Sequence, residues 1–356
     1  VWRGMIEIEN SKHVTVRNIA VENSSFFGFR VLDSEDIRVL DNRSTVSLGS
    51  GIYAKNAKRV TVDGNDVSRF CDRNVYGGGD GVQCQEGISI VNVDSFSVQN
   101  NLVHDAPQSL GVGPGGGEGI DIKAGSKNGV VAYNKVWNLV QLGIYVDGWS
   151  QGVSKVAVHS NQVWHTYMGI VVSSEMGGTV ADVAIYNNIV HDVGVDGIHI
   201  GTFKSGSQGD GPRTRLSVYN NTVVNAGIKE AKPPFYSRWS PSPFPDGGTG
   251  IKVTTTNVSG LQIFDNIVAN SKTAAIQIKP QVRATTRVET NLAWPSASPY
   301  AEYPFDGTRP VLAPPAFVAT KTMPCGRRYS PSAIVLRTDL PMTSITVRDW
   351  PGACAP

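Results

Sequence analysis

"VAVHSNQV" (residues 156–163) returns, altered but in the same pattern, as "VAIYNNIV" (183–190), "LSVYNNTV" (216–223) and "LQIFDNIV" (261–268). Upstream it reads "VTVDGNDV" (60–67) and "FSVQNNLV" (96–103). In each copy one Asn has apolar residues five and three positions before it and Val two after it: Asn65, Asn101, Asn161, Asn188, Asn221 and Asn266. Asn42 and Asn134 fit more loosely, with Ser44 two after the first and Gly129 five before the second. A second phrase lies between the copies: "GIYAK" at 51, "GISIV" at 87, "GIDIK" at 119, "GIYVD" at 143, "GIVVS" at 169, "GIHIG" at 197 and "GIKVT" at 250. Both phrases alternate with period two, which reads as strand. The glycines at 119, 143, 169 and 197 are 24 to 28 residues apart. Wider gaps elsewhere leave room for inserted loops.

Two or three short strands per repeat, with no amphipathic helix between them, describe a parallel β-helix, an all-β solenoid. A leucine-rich repeat would need a recurring leucine frame, which is missing. The asparagines are expected to stack rung on rung inside a turn, their amides bonding along the axis, and so to be structural. Residues 1–42 read as early rungs. The repeat fades near 290, which divides the chain into a β-helix (1–290) and a Pro-rich C-terminal segment (291–356) that forms a cap or a poorly ordered tail. No rung is legible in 318–356.

The chain has 356 residues, 17% charged and 40% hydrophobic, with a net charge of +2. That is enough apolar sequence for a large core. So small a net charge does not suggest a nucleic-acid binder. No apolar run of about eighteen residues exists, so no membrane partner is expected. The sequence opens at Val1 without a signal peptide, read here as a mature or trimmed chain. Four cysteines in the order Cys71, Cys84, Cys325, Cys354 suggest Cys71–Cys84 and Cys325–Cys354 disulfides and a secreted or periplasmic location. Four free thiols in the cytosol are the alternative. A monomer is expected.

In a β-helix, equivalent positions of successive turns stack about 4.8 Å apart. Within Gly-Ile-x-[Val/Ile]-x the Ile and Val point inward, and the alternate positions point out. One outward column then reads Tyr53, Ser89, Asp121, Tyr145, Val171, His199, Lys252. The next reads Lys55, Val91, Lys123, Asp147, Ser173, Gly201, Thr254. The position before the glycine gives Ser50, Glu86, Glu118, Leu142, Met168, Asp196, Thr249. Glu118, Asp121 and Lys123 therefore share one rung, with Asp147 beside Lys123, Glu86 beside Glu118, and Glu175 following the next strand. Tyr145, Trp149 and His199 border the group. A solvated face with a Lys123–Asp147 ion pair is the bland reading. The concentration of carboxylates in a chain with few charges favours a site. Loops at 70–86, 105–117, 202–213 and 226–248 would wall the groove, the last with Phe235, Tyr236, Arg238, Trp239 and Phe244 for sugar stacking.

Taken together, "GGGEGIDIKAGSKNGVVAYNKVWNLVQLGIYVDGW" and the rungs around it resemble the pectate-lyase-like, right-handed, single-stranded parallel β-helix superfamily of polysaccharide-active enzymes, over roughly residues 1–285. The local motif is similar to family 9 pectate lyases. Glu118 falls at their first acidic position, while their Asp-Asp pair corresponds to Gln141-Leu142. The resemblance implies a polysaccharide substrate and Ca2+, held by Glu118, Asp121, Asp147 and Glu175. In that lyase reading Lys123 or His199 abstracts the C5 proton of a uronate. Tyr145, Trp149, Glu175 and Lys252 would contact substrate. The alternative is a glycoside hydrolase in which Asp121 and Asp147, about 8 Å apart by strand geometry, act as acid and base with Glu175 assisting, Lys123 holding one carboxylate ionised. A third reading is a carbohydrate-binding β-helix without chemistry. The lyase is the first expectation and the hydrolase the second.

Overall fold

The computed structural model describes residues 3–72, 85–106, 116–203, 209–227, 247–301, 317–319 and 334–336. The alternating sequence forms the expected solenoid. One coil is made of Ile120–Lys123, Lys127–Ala132 and Lys135–Leu139, and the next of Leu142–Asp147, Val153–His159 and Gln162–Trp164. Each strand pairs in parallel with its counterpart one coil on, without register slip: Ile120 with Ile144, Gly129 with Val156, Val136 with Val163. Three parallel sheets thus run along the axis. Pairing continues through Leu292–Ala301 against Ile267–Ile278, so the last coil passes the boundary placed at 290. Phe317–Ala319 and Ile334–Leu336 form a separate antiparallel pair. Among the described residues no helix is long and apolar enough to cross a membrane.

The inward residues of all three sheets stack into one continuous apolar core. Ile52, Ile88, Ile120, Ile144, Ile170, Ile198, Ile251 and Ile276 form one fully buried column of it. The parallel pairing buries each strand between two neighbours, so its backbone groups find partners along the axis. Gly143 shows why the second phrase begins with glycine. A Cβ there would overlap Val163 and lie 2.7 Å from the Gly169 carbonyl oxygen of the next coil.

The asparagines form the expected ladder. Asn161 donates through its backbone N–H and its Nδ2 to Asn188 Oδ1, both at 3.0 Å, and its Nδ2 also donates to Val131 O at 2.9 Å. The same bonds run from Asn42 to Asn65, Asn101, Asn134, Asn161, Asn188, Asn221 and Asn266. They end at Asn291, which the sequence motif had not included. The residue before each ladder Asn takes a left-handed conformation, as at Asn187 (φ 55°) and Asn220 (φ 54°), which Asn tolerates better than most residues. Cys71 is buried and disulfide-bonded. Its expected partner Cys84 lies outside the described residues, as do Cys325 and Cys354.

Candidate active site

The outward columns read from the sequence are the columns of the structure. Asp121 lies between Ser89 and Tyr145, and Lys123 between Val91 and Asp147. The backbone N–H of Gly87 donates to the Glu118 carbonyl, which puts Glu86 beside Glu118. Glu86, Glu118, Asp121, Lys123, Tyr145, Asp147 and Glu175 thus meet on one face over adjacent coils.

Their connections differ from a surface ion pair. Lys123 does not pair with Asp147. Its Nζ donates to Glu86 Oε1 at 2.5 Å and lies 2.8 Å from Asp121 Oδ2. Glu86 is fixed from behind: Ser89 Oγ donates to its Oε2 at 2.5 Å, and Ser89 in turn meets Ser50 at 2.7 Å. Asp147 Oδ1 accepts backbone N–H bonds from Trp149 (2.9 Å) and Glu175 (3.3 Å), as expected of a carboxylate at a tight turn. Tyr145 Oη donates to Glu175 Oε1 at 2.9 Å. Asp121 and Asp147 are 2% and 1% exposed, so they form the buried floor of the site. Two buried carboxylate oxygens, Glu118 Oε2 and Asp121 Oδ1, have no hydrogen-bond partner among the described residues.

Burial and crowding set the protonation states. Burial, with Glu86 and Asp147 adding to it and Lys123 opposing, pushes Asp121 up to about 8. Burial and Glu175 push Asp147 up to about 7, against the backbone N–H bonds. Burial, Glu86 and Asp121 raise Glu118 well above the usual carboxylate range, and burial raises Glu175 despite the Tyr145 hydroxyl. Lys123 goes the other way from what a proton-abstracting lysine needs. Burial alone would lower it, but Asp121 and Glu86 outweigh burial and hold the ammonium well above its ordinary value. Lys123 pulls Asp121 toward its ionised form, as the sequence suggests, but desolvation of the carboxyl outweighs the single positive charge.

The expected calcium site finds no matching geometry. Among the described residues no three His, Cys, Asp or Glu side chains converge as metal ligands. The ammonium of Lys123, rather than open space, sits between Glu86 and Asp121. Gln141 and Leu142, where the resemblance places an Asp-Asp pair, are buried, and Leu142 packs with Tyr145, Tyr167, Met168, Val171 and Val195.

That apolar cluster separates His199 from Asp121 and Lys123. Tyr145 and Val171 stand between Asp121 and His199 in the column, three coils or about 14 Å of strand spacing. His199 is fully buried, its Nδ1 2.8 Å from Asp196 Oδ2, its Nε2 3.0 Å from Thr254 Oγ1, and its ring stacked on Phe203. Asp196 Oδ1 accepts N–H bonds from Gly248 and Thr249. Lys252 stands beside His199, one coil further on. His199 and Lys252 therefore belong to a different cluster from Lys123 and Asp121. Trp149 packs on the other flank, against Phe27, Tyr53, Val91 and Ala124. Glu86 and Tyr53 are the members the sequence reading left without a role. Glu86 stood in a column already read, and the signal that it grips Lys123 was its place one coil before Lys123's own rung. The aromatics at 235–244 and most of the loops at 70–86 and 105–117 lie outside the described residues. A larger cavity of about 570 Å3, lined by His13, Asp36, Arg38 and Arg59, belongs to the neighbouring sheet and not to this face.

Comparison with known proteins agrees on the fold. The family model for the right handed beta helix region matches residues 1–163. An exopolygalacturonase from Thermotoga maritima superposes with a TM-score of 0.51 at 11% identity, over 74% of this chain and 55% of that one. A DFA-IIIase from Arthrobacter chlorophenolicus, in complex with GF2, gives 0.51 at 14% identity, over 79% and 63%. The chain thus spans less than two thirds of the length of each of these two enzymes. No curated protein matches it in sequence. The chain shares its right-handed parallel β-helix with polysaccharide-active enzymes; at these identities the likeness is one of fold.

Proposed function

We propose that the chain is a glycoside hydrolase acting on a polysaccharide, with Asp121 and Asp147 as its acid–base pair. One observation carries this reading. Lys123, the residue a β-elimination would use as base, is gripped by Glu86 and Asp121 and held as an ammonium, while burial pushes Asp121 up to about 8 and Asp147 up to about 7. A base must be able to lose its proton near working pH. Lys123 is set against that, and His199 stands about three coils away.

The two aspartates divide the work by environment. Asp147 Oδ1 receives two backbone N–H groups, which favour its anionic form, so it is the base that orients and deprotonates water. Asp121 has the higher value and an unpartnered Oδ1, so it is the acid that gives its proton to the glycosidic oxygen. The water oxygen bonds to the anomeric carbon as the glycosidic C–O bond breaks. Diagonal neighbours on adjacent coils are about 8 Å apart, inside the range of about 6.5–9.5 Å that leaves room for water and inverts the anomeric centre. Glu175, tied to Tyr145, assists Asp147.

The test is a polymer panel of polygalacturonate, alginate, glucuronan, xylan and mixed glucans, with and without calcium. Reducing ends and the ultraviolet absorbance of unsaturated products are followed together. Reducing ends without absorbance are expected. Absorbance rising with them would establish β-elimination and sink the hydrolase reading.

A further inference from the structure

Asp196, His199 and Thr254 take no part in the acid–base pair, and they meet in a line. Asp196 and His199 are fully buried, with Asp196 Oδ2 2.8 Å from His199 Nδ1. On the other side of the ring, Nε2 lies 3.0 Å from Thr254 Oγ1. A carboxylate only accepts, so in the neutral ring Nδ1 carries the proton and Nε2 is left to take one from the threonine hydroxyl. The line is held from behind and from the side. Asp196 Oδ1 accepts the backbone N–H groups of Gly248 (3.2 Å) and Thr249 (3.0 Å), and Phe203 stacks on the imidazole at 5.6 Å and 19°.

Gly201 shows that the contact at Nε2 is given room. Its φ lies outside the left-handed region, so the backbone does not call for glycine there. A Cβ would instead overlap His199 Nε2 and lie 2.8 Å from Thr254 Oγ1. Thr254 is only half-buried, so the line runs from the interior to the outer face. His199 is the one polar partner of its hydroxyl among the described residues. Thr254 stands in the column of Asp147, three coils on, about 14 Å along the axis.

A carboxylate, an imidazole and a hydroxyl in this order are the parts of an activated nucleophile, on whatever fold they occur. We propose that Asp196, His199 and Thr254 form a second active site, which hydrolyses a short O-acyl ester carried on a hydroxyl of the polysaccharide. Thr254 Oγ bonds to the acyl carbon while Nε2 takes its proton, and the sugar oxygen leaves with that proton. Water then bonds to the acyl carbon and gives a proton to Nε2. The bond from that carbon to Oγ breaks, the free acid departs, and Oγ recovers the proton. The acyl group is short and uncharged because Phe203 joins Met168, Val171 and Val195 in an apolar cluster beside the ring. Neither Asp121 nor Asp147 is needed, so this site does not rest on the hydrolase reading.

The test is labelling by a fluorophosphonate, mapped by mass spectrometry, beside acetate release from p-nitrophenyl acetate and from acetylated xylan. The label is expected at position 254 in wild type and in Thr254→Ser, and at no position in Thr254→Val. Acetate release should fall about 10²-fold or more in Thr254→Val and in Asp196→Asn and persist in Thr254→Ser, with circular dichroism checking each fold. No label on wild-type Thr254, a label on another residue, release from neither ester, or release indifferent to Thr254→Val would overturn the proposal. Thr254-dependent release by a chain that cleaves no polymer of the panel would sink the hydrolase reading alone. Polymer cleavage with neither label nor acetate release would sink this second site alone.

Discussion

The asparagine ladder and the carboxylate face are built the same way, by stacking polar side chains coil upon coil, and they end in opposite states. In the ladder each Asn from Asn65 to Asn266 uses both Nδ2 protons, and its Oδ1 accepts two bonds. On the carboxylate face Glu118 and Asp121 keep an oxygen without a partner among the described residues, and acidic groups are packed together. A stacked amide is its own complement; a stacked carboxyl is not. The ladder therefore spends its polarity on the fold, and the face holds groups whose demand must be met from outside.

The largest effect should come from converting the face into something ladder-like. Asp147→Asn keeps the acceptor for Trp149 and Glu175 but removes the ionisable group. Turnover should fall by about 10²–10⁴-fold, the usual size of a general acid–base contribution. Thermal stability should hold or rise, because a like charge beside Glu175 disappears. A melting temperature that drops while turnover persists would make Asp147 a structural residue.

The converse change is Asn161→Ala. It takes their Asn161 partner from Asn134 N–H, from one of the two Asn134 Nδ2 protons and from Val131 O in the core. Each buried unsatisfied group costs about 1–3 kcal/mol, so denaturant unfolding should show a loss of several kcal/mol at unchanged m-value. Specific activity of the folded fraction should be near wild type. Loss of activity without loss of stability would contradict the structural role.

The two regions should also separate by pH. Asp121 and Asp147 rise from 3.8 to about 8 and about 7 in the folded chain. Between about pH 4 and pH 8 the folded state therefore holds protons that the unfolded state has released. Their contribution to stability is fully present below about pH 4, is lost as pH rises through the folded values, and levels off above about pH 8. Unfolding free energy measured across this window should decline less in Asp147→Asn than in wild type. Asn161→Ala should leave the decline unchanged, since no ladder amide titrates. Identical slopes in wild type and Asp147→Asn would show that Asp147 is not the proton carrier.

Period-two alternation and the asparagine spacing made the coil register legible, because in a parallel stack one repeat predicts every column. Asn291 escaped because its phrase lacks the apolar frame of the others: Thr286 and Val288 precede it and Ala293 follows. The columns also placed Glu118, Asp121, Lys123 and Asp147 together. What they could not supply was direction within the face. A side chain as long as Lys123 reaches back to Glu86 of the previous coil as readily as forward to Asp147, and only packing decides. For the same reason His199 looked close. A column shows order, but the apolar Val171 and the ring of Tyr145 are what turn that order into a barrier.

The smallest expected effect sits on that boundary. Tyr145 belongs to the apolar cluster by its ring and to the carboxylates by its hydroxyl, which donates to Glu175 and holds that carboxyl lower than burial alone would. Tyr145→Phe keeps the ring and its packing, so stability should change by only about 1 kcal/mol, the net value of one hydrogen bond. Glu175, freed of its donor, should titrate higher, and with less of that negative charge beside it Asp147 should titrate lower. The acidic limb of the pH–rate profile should move down by a fraction of a unit, with activity kept to lower pH than in wild type. A flat loss at every pH would assign Tyr145 to substrate contact instead, and no change at all would remove Glu175 from the acid–base group.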